Sequence, residues 1–183
     1  MPGGESFIRQ VLYGKGYFRK ELGVEVTTSW QLDSFGHNAQ LPQLLRLAGY
    51  KSFWSQRGVP VGDLPSEFLW EGLDGTRIPF YWLPQSYGFA YGSPKPLPEF
   101  SAFMKQHFDQ LAPYSRGAVR AGPAGCDVCL PEEHVPALAE QFNRQPGAPF
   151  HIRIGLPADY EAVVEARPEE RPVVKGDLNP IFQ

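Results

Sequence analysis

Short β-branched or aromatic runs alternate with helix-period stripes along most of this chain, and that alternation restricts the fold more than any other feature. Residues 5–22 predict a first helix, with Phe7, Ile8, Val11 and Leu12 at helical spacing and Gly14 and Gly16 weakening its second half. Val24–Trp30 reads as a strand. Asn38 is a good N-cap for a second helix, whose stripe is Leu41, Leu44, Leu45 and Ala48. Pro42 is tolerated in its first turn, and Gly49 is a plausible stop. Lys51–Gln56 predicts a second strand, and Phe68–Gly72 with Thr76–Leu83 a hairpin around Leu-Asp-Gly. Pro98 opens a helix to about Leu111, and Ala118–Gly122 reads as a short strand. Pro131, Glu132 and Glu133 open another helix, with Val135, Leu138, Ala139 and Phe142 on its buried face. Phe150–Ile154, Ala158–Ala166 and Pro172–Lys175 complete the series as strand, helix and strand. Such alternation predicts an α/β fold with a mainly parallel sheet.

In parallel sheets, ligands sit beyond the carboxyl ends of the strands. Asp33 stands there after the first strand, Arg57 ends the next in the same sense, and Asp127 follows the candidate strand near 118–122. These three polar groups therefore converge on one face if the topology holds. The bland reading of Asp33 is a turn or a cap. Asn38 already supplies the cap, and a turn has no need of Trp30 and Phe35 beside it.

Composition narrows the function classes. A net charge of −3 leaves no basic footprint for nucleic acid and no polybasic anchor for a membrane. No apolar run approaches the ~18 residues of a membrane span, and the first ten residues lack the apolar core of a signal peptide. Two cysteines make a reducing, cytoplasmic setting the default expectation. Cys126 and Cys129 form Cys-x-x-Cys, which is half a zinc site, a redox pair or chance. The four histidines, 37, 107, 134 and 151, show no metal-ligand spacing. Aromatics at 14% suit a sugar-binding cleft or simply a well-filled core. Tyr87 and Trp82, like Trp30 and Phe35, are candidates for stacking on sugar rings.

The stretch TTSWQLDSFGHNAQLPQLLRLAGYKSFWSQR, residues 27–57, resembles the nucleophile segment of the family 38 glycoside hydrolases, the retaining α-mannosidases. That family ends a barrel strand in Trp-x-x-Asp-x-Phe-Gly-His and places an Arg at the end of the next strand. Trp30, Asp33, Phe35, Gly36, His37 and Arg57 occupy those places. GGESFIRQVLYGKGYFRKELG before the block, and FLWEGLDGTRIPFYWLP and VVKGDLNPIFQ after it, extend the resemblance over essentially the whole chain.

The resemblance implies part of a seven-stranded β/α-barrel-like catalytic domain, a single partial domain over 1–183 cut at both ends. It implies hydrolysis of terminal α-mannosyl residues from mannose-containing glycans. Retention needs two carboxyl groups about 5–5.5 Å apart, a nucleophile and an acid/base. Asp33 inherits the nucleophile's role and that of a zinc ligand, and Asp127, in Gly125-x-Asp127, is the candidate acid/base. Trp30, Phe35, His37, Arg57 and Tyr87 are the implied substrate-binding residues, His37 either at the site mouth or in a hydrogen-bonded structural role. The family's other zinc ligands, a His-x-Asp strand and a later His, fall outside this chain, so the isolated chain is expected to have little activity. A non-catalytic mannose-binding module and a thiol protein built on Cys126 and Cys129 are the alternatives.

Overall fold

The structure, a computed structural model, describes residues 3–59, 62, 64–167 and 170–179. The chain divides into two compact units, residues 1–82 with 169–183, and residues 83–168.

The first unit is built on a five-stranded sheet. Its strands are β1 (Thr28–Trp30), β2 (Ser52–Ser55), β3 (Glu67–Glu71), β4 (Arg77–Trp82) and β5 (Val173–Lys175), in the spatial order β1-β2-β4-β3-β5. β1 pairs with β2, β2 with β4 and β3 with β5 in parallel, and only the β3–β4 hairpin is antiparallel. Five strands among the described residues are fewer than the seven expected, while the mainly parallel character holds. α1 (Gly4–Leu22) runs unbroken through Gly14 and Gly16 and closes on Gly23, which takes the left-handed backbone of a C-terminal cap. α2 (Leu41–Leu47) buries Leu41 and Leu45 against Phe53, Phe68, Trp70, Ile78, Phe80 and Leu178, as its helical stripe requires.

Two local expectations are corrected here. The strand expected over 24–30 is in register with β2 only at Thr28–Trp30; before it the Lys51 N–H reaches the Thr27 carbonyl at 2.7 Å, and residues 24–26 are not part of the ladder. Asn38 does not cap α2. Its Oδ1 accepts the Gln40 N–H at 2.8 Å in a tight turn, and Gln40 takes the cap position. The Ala39 N–H goes instead to Asp177 Oδ1 at 2.6 Å, so a residue remote in sequence fixes the approach to the helix.

The second unit packs α3 (Leu97–Gln110) against α4 (Val135–Asn143), with Phe100, Met104, Leu111, Val135, Leu138 and Phe142 in its core. α5 (Pro157–Glu165) also lies in this unit. The strands expected at 118–122 and 150–154 are absent. Both segments find other partners. Asn143 closes a two-bond ring on the Ile152 backbone, 2.8 Å each way, which replaces a neighbouring strand. Arg120 bonds the Phe108 carbonyl and lies 3.8 Å from the centre of its ring. Glu132 and His134 hold the Gly92–Ser93 turn, so the helix expected from Pro131 starts only at Val135.

Candidate functional site

Parallel pairing sets the site. β1 and β2 are in register at Trp30 and Trp54, and the ladder continues through Gln31 N–H to the Trp54 carbonyl and Gln56 N–H to the Leu32 carbonyl. Asp33 and Arg57 each lie three residues beyond that matched pair, so they emerge side by side at the carboxyl ends of adjacent strands.

Arg57 Nε donates to Asp33 Oδ1, and Gln56 Nε2 donates to the same oxygen at 3.1 Å. Oδ2 receives no hydrogen bond among the described residues. The Arg57 guanidinium lies 4.4 Å from the centre of the Phe35 ring. Phe35 and Trp30, two and three residues from Asp33 in the sequence, are 58% and 49% exposed. Trp30 leans on the buried Trp54, which stacks on Tyr81 at 4.8 Å. Asp33 thus acts neither as a helix cap nor as a backbone turn acceptor. Its acceptor oxygen is held by two side chains and its second oxygen is open, the disposition a nucleophile or a metal ligand needs.

His37 is not at the mouth of the site. It is fully buried, edge-on to Phe53 and Trp70, and its backbone exchanges two hydrogen bonds with Leu178. The hydrogen-bonded structural alternative is the one the fold adopts. Its Nε2 lies 3.0 Å from Ser55 Oγ, while Nδ1 has no partner among the described residues. Putting the proton on Nε2 leaves only a bare acceptor, the cheaper of the two orphans. Burial pushes the imidazole pKa down to about 4, and the Arg57 backbone pulls it partly back up.

Sequence reasoning missed the support beneath Arg57. Ser55 Oγ is 3.3 Å from the Arg57 N–H, and Trp82 Nε1 donates to the Gln56 carbonyl at 3.0 Å. Trp82 therefore packs and bonds within the first unit. Gly58 has φ +82°, and a Cβ there would meet the Leu178 carbonyl oxygen at 2.7 Å and His37 Cδ2 at 3.2 Å. Gly58→Ala is expected to destabilise the first unit by more than about 2 kcal/mol, since left-handed backbone alone costs roughly 1–2 kcal/mol. Urea unfolding followed by tryptophan fluorescence measures it. An unchanged midpoint would show that the loop can yield.

Asp127 and Tyr87 belong to the second unit. Tyr87 is half-buried in a turn, and Asp127 is exposed in a turn between Cys126 and Cys129. The two cysteines are joined as a disulfide, with Cα atoms 5.8 Å apart, so neither offers a free thiolate to a metal. Among the described residues no group of three His, Cys, Asp or Glu is placed to hold a metal ion.

The sequence matches the family described as glycosyl hydrolases family 38 N-terminal domain over residues 1–180. It is 42% identical over 87 residues to alpha-mannosidase G of Dictyostelium discoideum, covering 46% of this chain and 8% of that protein. It is 40% identical over 92 residues to alpha-mannosidase 2C1 of Mus musculus, covering 48% of this chain and 9% of that one. The structure superposes on an alpha-mannosidase from Enterococcus faecalis V583 with a TM-score of 0.86 and 27% identity, over 96% of this chain and 20% of the other. The chain is thus similar to a small part of each of these longer proteins.

Proposed function

Since the chain belongs to the family of the glycosyl hydrolases family 38 N-terminal domain, we propose that it supplies the nucleophile segment of a retaining α-mannosidase acting on mannose-containing glycans. The observation that carries this reading is the Asp33 carboxylate, with one oxygen held by Arg57 and Gln56 and no hydrogen bond to the other among the described residues. Oδ2 attacks the anomeric carbon, and the glycosidic bond breaks with protonation of the leaving oxygen. A carboxylic acid supplies that proton and, as base, then activates the water that releases mannose. Arg57 and Gln56 fix the carboxylate's rotation, and Phe35 and Trp30 offer apolar faces to the C–H side of the sugar.

Zinc does not fit these residues on their own. Asp33 offers one ligand oxygen and no group of three donors accompanies it among the described residues. Asp33 is proposed as one ligand of a zinc whose others come from outside this chain, an ion that would grip sugar hydroxyls.

A chimera tests the proposal. The chain replaces the matched fifth of the Enterococcus faecalis alpha-mannosidase. The chimera is expected to cleave an aryl α-mannoside, to release α-mannose first by NMR, and to ignore the β-mannoside. A folded chimera without turnover, or β-mannose as first product, would overturn it. A second reading, a glycan-binding module, draws on the same exposed Trp30 and Phe35. Saturable mannoside binding by the chain that survives Asp33→Ala would favour it.

A further inference from the structure

We propose that His37 is a positioning residue for Arg57, acting through Ser55, and that this buried linkage aims the guanidinium at Asp33. The inference rests on the reading of Asp33 as the reactive carboxylate. His37 lies in a wall of Phe53, Trp70 and the backbone of Leu178, where a hydrophobic side chain of similar size would pack without polar cost. An imidazole there carries a penalty, and one of its nitrogens is left bare. What the imidazole adds is polar contact at one end of its ring: Nε2 lies 3.0 Å from Ser55 Oγ, and the Arg57 backbone also interacts with the ring.

Ser55 closes β2 with its side chain fully buried, and its Oγ sits over the Arg57 main chain. The Arg57 N–H approaches Oγ at 3.3 Å, and Oγ lies 3.4 Å from the Arg57 carbonyl. These are long hydrogen bonds, and a serine hydroxyl left free to rotate would not hold a defined geometry with them. The Nε2 contact fixes where Oγ sits. From Ser55 the chain has two residues, Gln56 and Arg57, before Gly58, whose left-handed backbone fits only because nothing larger than hydrogen faces His37 and Leu178. Arg57 is therefore pinned on both sides of its Cα. Its side chain leaves in one direction, across Phe35 and onto Asp33 Oδ1. A planar guanidinium needs this kind of aim, because it bonds a carboxylate well only in a narrow set of orientations.

The experiment uses the 183-residue chain with 15N-labelled arginine and tryptophan. It reads hydrogen exchange at the Arg57 Nε–H, assigned by its loss in Arg57→Lys. The Trp70 indole N–H, bonded to the Gly176 carbonyl at 2.9 Å in the same unit, is the control for the core. Ser55→Ala and His37→Leu are expected to speed Arg57 exchange at least tenfold while Trp70 keeps its protection. Ser55→Thr restores the hydroxyl, and His37→Gln places an amide nitrogen near Nε2, so both should retain slow exchange. Unchanged Arg57 exchange in Ser55→Ala would overturn the proposal. So would parallel loss at Arg57 and Trp70, which would make His37 merely part of the core. Ser55→Ala removes one oxygen, so the test stands even if His37→Leu does not fold. The readout involves no turnover, so an inactive chimera with the expected exchange pattern would refute the mannosidase reading and leave the linkage intact.

Discussion

Asp33→Asn is expected to lower aryl α-mannoside hydrolysis by the chimera at least about a thousandfold, the order of loss that follows removal of a covalent nucleophile. The substitution is nearly isosteric. The amide oxygen can still accept from Arg57 and Gln56, so the surrounding geometry survives. What disappears is the lone pair of an ionised oxygen at the open Oδ2 position, and with it the bond to the anomeric carbon. Mannoside binding should change little, which separates loss of chemistry from loss of the pocket. Asp33→Ala goes further, because it also strips Arg57 of its ion-pair partner. It leaves a gap on the face opposite the leaving group, and azide added to this variant is expected to enter there and yield β-mannosyl azide. Turnover above about a tenth of the parent's in Asp33→Asn would remove Asp33 from the nucleophile's role.

The Asp33–Arg57 contact was legible in the sequence because it depends on one thing, the register of two adjacent parallel strands. Trp30 and Trp54 mark that register, and the two charged residues follow at equal distance. The β3–β4 hairpin and the stripe of α2 were legible for the same reason, since local period and turn chemistry determine them. His37 was harder. Flanked by Gly36 and Asn38, it reads as an exposed loop residue, and only the return of Leu178 from the far end of the sequence buries it. The role of Asp177, which takes the Ala39 N–H, is hidden in the same way. The segments at 118–122 and 150–154 carry strand composition, but strands exist only as pairs. At 150–154 the partner is the Asn143 side chain, a choice no residue pattern announces.

The buried imidazole carries the second large effect. In the unfolded chain His37 titrates near 6.5, while in the fold burial holds it at about 4. Protonation in the fold would also create a second N–H at Nδ1 with no acceptor facing it among the described residues. Above pH 6.5 both states are neutral and the residue adds no pH dependence. Below it the unfolded chain binds a proton that the fold refuses, so stability falls until about pH 4, where the fold protonates as well. That window amounts to about 3 kcal/mol at roughly 1.4 kcal/mol per unit. All four tryptophans, at 30, 54, 70 and 82, lie in the first unit, so their fluorescence reports its unfolding alone. His37→Gln does not titrate and keeps a donor near Ser55. Between pH 7 and pH 4.5 the parent chain is expected to lose about 2–3 kcal/mol more in urea than this variant does. Equal losses would mean that the imidazole accepts its proton inside the fold. In the pH range above that window the neutral ring keeps its contact with Ser55, so Arg57 stays aimed at Asp33 wherever the fold itself is stable.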